Sequence, residues 1–154
     1  IFMLSLSIGY LLGGRLSVHN PSSSRFAAIF AVAALLLLPL TVYAPALMEF
    51  VFLRVEDPRY GSLITSIALF GLPTVILGMI SPYSVRLLVD NVAESGRVAG
   101  ALYFVSTLGS AIGTLMTSFY FVLWFEVNTI ITLLISCLVL LALLAFTADR
   151  FLEK

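Results

Sequence analysis

About five long apolar stretches, separated by the chain's few charged residues, constrain its fold more than any other feature of the sequence. A helix needs about 20 mostly apolar residues to cross the hydrocarbon core of a bilayer, and charged residues mark where such stretches stop. Here 61% of the residues are hydrophobic and 10% are charged, whereas a soluble domain typically carries about 25% charged residues. The sequence therefore predicts an integral membrane protein of the all-α class, a polytopic bundle of about five transmembrane segments that forms a single domain over residues 1–154.

Proline residues interrupt two of the predicted transmembrane segments. The segments cover residues 1–14, 26–53, 61–80, 98–124 and 127–146. The second is longer than a bilayer requires, so we expect it to tilt or to bend near Pro39 and Pro45. The third contains Pro73 and ends at Ser81-Pro82, where proline should break or kink the helix.

The connections and ends of the segments differ in character. Residues 84–97 alternate apolar with charged side chains, which predicts an amphipathic stretch at the membrane interface. Phe125 and Glu126 alone separate the last two segments, which predicts a tight helical hairpin. The first segment is short, so we expect a further helix to precede Ile1, and residues 147–154 are predicted to form a short polar tail.

Lys and Arg are distributed unequally between the two sides that these segments define. Arg54 and Arg59 lie on one side. The other side carries about six basic residues: Arg15, Arg25, Arg86, Arg97, Arg150 and Lys154. Cytoplasmic loops carry the excess of basic residues, so this side and the C-terminus are predicted to be cytoplasmic.

Charge and cysteine content exclude several classes of function. The formal net charge is 0, so no excess of positive charge is present to hold a nucleic-acid backbone. The single cysteine, Cys137, can form neither an internal disulfide nor a cysteine-based metal site. The sequence has no glycine-rich phosphate loop and no HExxH motif, and we predict no catalytic, metal or cofactor-binding residues and no cofactor.

Three pairs of glycines are each spaced by four residues, which places both members of a pair on one helix face. The pairs are Gly9 and Gly13, Gly96 and Gly100, and Gly109 and Gly113. Small residues let helix backbones approach closely in lipid, where no hydrophobic force drives helices together. We predict that these faces serve helix packing, either within the chain or in self-association with a second copy.

Ionisable residues deep in a membrane segment are candidates for function. Glu49 is the one charged residue well inside an apolar stretch, and it is either an interfacial residue paired with Arg54 or a ligand or proton site. His19 is the only histidine and is predicted to be a solvated loop residue, since no catalytic partner lies beside it. Tyr103 is one of several tyrosines that could line a cavity.

Ordered glycine, proline and arginine positions give the chain a resemblance to a known family. The relevant segments are residues 7–17 (SIGYLLGGRLS), 69–83 (LFGLPTVILGMISPY), 86–88 (RLL), 96–100 (GRVAG) and 107–114 (TLGSAIGT). Together they resemble the transmembrane portion of bacterial and archaeal spermidine-synthase-like membrane proteins, in which a major-facilitator-like half is fused to a polyamine aminopropyltransferase domain.

The resemblance implies a half major-facilitator-like bundle in a prokaryotic inner membrane, which anchors a cytoplasmic aminopropyltransferase-like domain and binds or conducts a small solute. No catalytic residue of that domain has a counterpart here, so any such activity would lie in another domain or partner. The candidate gate or ligand residues are Arg15, Glu49, Arg86 and Tyr103. Two alternatives stay open: a half-size transporter that dimerises through its glycine-rich faces, and a structural subunit of a larger membrane complex.

Overall fold

The computed structural model describes residues 1–18, 21–89 and 91–152, and within these ranges the chain forms helices and no strands. The helices are α1 (Phe2–Val18), α2 (Ser23–Leu37), α3 (Leu40–Phe52), α4 (Pro58–Gly78), α5 (Ile80–Leu88), α6 (Ser95–Met116), α7 (Val122–Trp124) and α8 (Val127–Leu152). A 3-10 turn, Val92–Glu94, precedes α6, and a π-helical turn, Thr117–Phe121, joins α6 to α7. The all-helical class predicted from the sequence is confirmed for these residues.

Three stretches of helix are long and apolar enough to cross a membrane, as expected of an integral membrane protein. They are Pro58–Leu88, Ser95–Trp124 and Val127–Ala148. A fourth is reached if α2 and α3, which meet at a bend of 48°, are counted as one span. Helix α1 has 17 residues and is shorter than the roughly 20 that a span needs. The described helices therefore provide three or four candidate spans where the sequence predicts about five.

The bend between α2 and α3 confirms the expectation for Pro39. Proline has no amide hydrogen, so the carbonyl of Leu35 loses its usual donor four residues later. At the bend, the carbonyl oxygen of Leu38 accepts two hydrogen bonds from Thr41. The amide of Thr41 donates at 3.3 Å and its hydroxyl at 2.8 Å. Pro45, the other expected site of bending, lies inside α3 without interrupting it.

The third predicted segment does not end at Ser81-Pro82. The helix is interrupted at Met79, and both residues lie in the first turn of α5, where a missing amide hydrogen is tolerated. Because α5 continues to Leu88, the amphipathic stretch predicted for residues 84–97 is divided among the end of α5, the 3-10 turn and the start of α6. The stretch is thus not one continuous helix, and its position at the membrane interface stays a prediction.

The predicted hairpin and tail also differ from the structure. Phe125 is extended, and α7 is followed directly by α8, so the connection is as short as expected. Within the described residues, however, neither α6 nor α7 forms a packed interface with α8, which packs along α2 instead. Helix α8 runs on to Leu152, so most of the predicted polar tail is helical.

The core of the bundle lies between α2 and α8. It contains Phe30, Ala33, Ala34, Leu37, Leu40, Ile135 and Leu138. The alanines of α2 leave room for the larger side chains of α8, as small residues do where membrane helices approach closely. A groove beside this core is lined by Ser24, at the start of α2, and by Phe146 of α8.

One buried polar atom in α4 has no hydrogen-bond partner, and it yields a prediction about stability. The side-chain oxygen of Thr65 is unpaired although the residue is only 5% exposed. An unsatisfied buried donor costs about 1–3 kcal/mol, so replacing it with an apolar group of the same shape should stabilise the fold. We expect Thr65→Val to raise the melting temperature measured by circular dichroism in detergent. Thr41→Val is the matched control: it removes a hydroxyl that is bonded to the carbonyl of Leu38 and should give no increase.

Candidate functional site

One face of α1 carries small residues four apart and packs against α4 and α5. Its buried residues are Ser5, Gly9, Gly13 and Ser17. A Cβ atom added at Gly9 would collide with the carbonyl oxygen of Val75 and would lie 2.9 Å from Cα of Gly78. One added at Gly13 would lie 2.6 Å from the carbonyl oxygen of Met79. The backbones are thus in direct contact, which only residues without a side chain allow.

The contacts advance in the same direction along both elements, so α1 runs parallel to α4 and α5. The rings of Phe2 and Phe70 are 5.9 Å apart, and Gly78 lies against Leu6, whose carbonyl oxygen is 2.9 Å from where a Cβ of Gly78 would be. Gly13 then meets Met79, at the interruption between α4 and α5. This close packing fixes the position of α1 beside α5.

Tyr83 fastens α5 to the beginning of α2. Its side chain is fully buried, and its ring stacks on that of Phe26 at 5.8 Å and 8°. Its hydroxyl donates to the carbonyl oxygen of Ser22 at 3.2 Å and accepts from the amide of Ser22 at 3.1 Å. Ser22 is also the N-cap of α2, since its hydroxyl accepts from the amide of Arg25 at 3.3 Å. The sequence pattern around Ser22 indicated a loop but did not reveal this long-range contact.

A cleft of about 440 Å³ lies between α1, α5 and α6, and most of its lining residues carry hydroxyl groups. The lining consists of Tyr10, Ser81, Pro82, Tyr103, Ser106, Thr107 and Ser110. We call this space the hydroxyl cleft. It contrasts with the grooves elsewhere on the molecule, such as the one between α2 and α8, whose walls are almost entirely alanine, leucine and other apolar residues.

Among the described residues, the six hydroxyls of the cleft have no hydrogen-bond partner, and five of the six residues that carry them are exposed. Serine and threonine in helices commonly donate to a carbonyl three or four residues earlier, as Ser84 does to Ile80 at 2.7 Å. Ser81, three residues earlier in the same helix, makes no such bond, and among the described residues none of the other five hydroxyls has a hydrogen-bond partner. Each hydroxyl can donate one hydrogen bond and accept two, so the residues that line the cleft carry both donors and acceptors.

The part of α6 that lines the cleft lies well inside a helix that is long and apolar enough to span a membrane. Tyr103 and Ser110 are 8 and 15 residues beyond Ser95, the first residue of α6, so they lie about 12 and 22 Å along the helix. Pockets for small ligands usually enclose about 300–1,000 Å³, and the hydroxyl cleft falls in the lower part of that range. The arrangement can therefore bind a small solute by hydrogen bonds.

Helix α6 contributes four residues to the cleft and packs only loosely against the neighbouring α5. None of its residues is buried in the part of the chain that the structure describes. A Cβ atom added at any of its four glycines would meet nothing within 4 Å; these are Gly96, Gly100, Gly109 and Gly113. The predicted packing role of these four glycines therefore has no counterpart within the described residues, and self-association stays a prediction.

Of the four candidate gate or ligand residues, one lies at the cleft. Tyr103 is part of its lining, whereas Arg15, Glu49 and Arg86 are exposed on other surfaces. Glu49 makes no ion pair with Arg54 among the described residues. The Arg54 guanidinium instead lies 4.0 Å from the centroid of the Phe50 ring. His19 lies outside the residues that the structure describes.

Within those residues, no three His, Cys, Asp or Glu side chains lie close enough together to hold a metal ion, and Cys137 is exposed. Comparisons of the chain with protein-family models, with curated proteins and with solved structures found no match.

Proposed function

We propose that this chain is the helical membrane domain of a larger membrane protein or complex, and that its hydroxyl cleft binds a small polar solute and lets it cross. The observation that supports this proposal is a cleft lined by six hydroxyl-bearing residues from three helices, none of which has a hydrogen-bond partner among the described residues. Polar groups facing hydrocarbon are costly, so a membrane protein retains them where they contact water, a solute or one another.

Reconstitution into liposomes tests this function. The solutes are glycerol, urea, spermidine and phosphate, and their entry is followed by light scattering or isotope uptake. We expect at least one of them to enter about tenfold faster than into protein-free liposomes. Ser106→Leu combined with Ser110→Leu should abolish the increase, since both side chains line the cleft. Leu108→Met, on the opposite side of α6, is the control and should leave entry unchanged. Unaccelerated entry of all four solutes would contradict the proposal.

The full membrane topology is part of this proposal. In this topology α1 crosses the membrane and the bent pair α2–α3 forms one span. About five segments cross in all. The C-terminus is cytoplasmic, in a prokaryotic inner membrane. The distribution of arginines supports this orientation, since Arg15 and Arg86 lie in the last turns of α1 and α5. A protease-sensitive tag after Lys154 should be cleaved in inverted membrane vesicles and protected in intact cells.

The spermidine-synthase-like setting rests on the motifs of residues 7–17, 69–83 and 107–114. It places an aminopropyltransferase-like domain or subunit on the cytoplasmic side. Purification of the native protein, followed by measurement of its intact mass and identification of co-purifying subunits, tests this setting. The absence of any aminopropyltransferase-like domain or subunit from the native complex would overturn it.

A second candidate function is a half-size transporter that pairs with a second copy through α6. The specific observation in its favour is that no described residue of α6 is buried, with open space at Gly109 and Gly113. Helix dimers in membranes form on such small-residue faces. Gly109→Leu combined with Gly113→Leu should convert a dimer to a monomer in mild detergent without lowering the melting temperature. A monomeric unmodified protein would contradict this candidate and favour a structural subunit of a complex.

A further inference from the structure

We propose that the hydroxyl cleft selects an uncharged solute that both donates and accepts hydrogen bonds, such as a small polyol or an amide, and that it excludes polyamines and inorganic anions. This inference rests on the proposed function and specifies the class of solute.

The chemistry of the lining carries the inference. All six polar side chains of the cleft are hydroxyls, and Pro82 is the one remaining lining residue. Hydroxyls are at the same time donors and acceptors, so they complement a ligand whose own groups are of both kinds. A solute with donors only, such as a polyammonium ion, would bond to the lone pairs of the hydroxyls. It would offer no acceptor to the hydroxyl hydrogens.

The lining of the cleft offers no compensation for a charged solute. Placing an ion in an apolar environment is unfavourable unless an opposite charge or several hydrogen bonds compensate it. Within the described ranges, no Asp, Glu, Lys or Arg lines the cleft. Glu49, the carboxylate that the sequence singles out, lies on α3, which packs against α2, α4 and α8 rather than against the helices of the cleft.

The aromatic rings are the one feature of the cleft that could favour a cation. Tyr10 and Tyr103 approach it from α1 and α6, and aromatic faces attract ammonium groups. Such an interaction compensates a single charge in part, whereas spermidine carries three. The two rings alone would not compensate the three charges of spermidine, and no carboxylate among the described residues lines the cleft. A polyamine that binds to the larger protein would therefore bind elsewhere.

The test uses the full chain in liposomes, with glycerol, spermidine and phosphate as separate probes. We expect glycerol to enter at least tenfold faster than into protein-free liposomes, and spermidine and phosphate to show no acceleration. Ser110→Leu should reduce glycerol entry about tenfold, and Ser110→Ala severalfold. Helix α6 has no buried residue, so these variants should keep the fold, which circular dichroism checks.

Substitution with a carboxylate reverses the expected preference. Ser110→Asp should lower glycerol entry and permit binding of spermidine, measured by equilibrium dialysis against the reconstituted protein. Acceleration of spermidine or phosphate by the unmodified protein would overturn the inference while leaving the proposed function intact. The inference would also fall if glycerol entry were insensitive to Ser110→Leu. If none of these probes is accelerated, and urea is not accelerated either, both the inference and the proposed function fail.

Discussion

Replacing Gly9 with alanine is expected to destabilise the protein by about 2 kcal/mol, because the added methyl group meets backbone atoms that have no space to move. The Cβ would collide with the carbonyl oxygen of Val75 and lie 2.9 Å from Cα of Gly78. A flexible side chain could turn away from such a contact, but α4 would have to separate from α1. Gly13→Ala should have a similar effect, since its Cβ would lie 2.6 Å from the carbonyl oxygen of Met79.

Gly14 provides the matched control. It lies in the same helix, next to Gly13, and a Cβ there would meet nothing within 4 Å. Alanine is preferred to glycine inside a helix by about 1 kcal/mol, so Gly14→Ala should be neutral or slightly stabilising. Thermal unfolding followed by circular dichroism in one detergent compares the three variants. Equal melting temperatures for Gly9→Ala and Gly14→Ala would show that α1 is not packed against α4 as described.

Replacing Tyr83 with alanine is expected to have the largest effect of any single substitution in α5, a loss of about 3 kcal/mol or more. The side chain is fully buried, and the change removes its stacking on Phe26. It also leaves the amide of Ser22 without its acceptor at the point where α2 begins, while the carbonyl of Ser22 keeps the amide of Phe26 as a donor. Unfolding by denaturant, followed by circular dichroism, measures the loss.

Tyr83→Phe separates the two contributions. It keeps the ring and its stacking but removes both hydrogen bonds to Ser22, and should lose about 1–2 kcal/mol. Amide hydrogen exchange at the start of α2 provides a local readout: the amide of Ser22 should exchange faster in Tyr83→Phe than in the unmodified protein. Unchanged exchange, together with full stability of Tyr83→Phe, would show that the link between α5 and α2 is absent.

The sequence predicts the helical class and several local features because these depend on residues close together in the chain. Pro39 bends the second segment since a proline removes a helical donor wherever it occurs inside a helix. The position of the interruption near Pro82 was less predictable. A proline is tolerated in the first turn of a helix, so the residue alone does not tell whether it ends one helix or begins another.

The surroundings of a motif could not be predicted from its spacing. Gly9 and Gly13 share the four-residue spacing of Gly109 and Gly113, yet the first pair contacts backbone and the second faces open space. The difference depends on which helix lies opposite, and this is set by contacts distant in sequence. The hydroxyl cleft was missed for the same reason. Ser81 and Ser110 belong to different helices, and nothing local to either indicates that they line one space.

If the hydroxyl cleft binds and passes a polar solute, the face of α6 that lines it should be accessible to water and the opposite face should contact lipid. Cysteine accessibility tests it in a background in which the exposed native cysteine is removed by Cys137→Ala. Ser110→Cys and Leu108→Cys differ by two residues, so they lie at nearly the same depth but about 160° apart around the helix.

Thiols react as thiolates, which form in water and not in hydrocarbon. A small hydrophilic methanethiosulfonate reagent is therefore added to the protein in sealed liposomes, and the labelled fraction is measured by mass spectrometry. We expect rapid labelling of Ser110→Cys, which lines the cleft, and little or no labelling of Leu108→Cys, which does not. Equal labelling at the two positions, or protection of Ser110→Cys, would contradict this expectation.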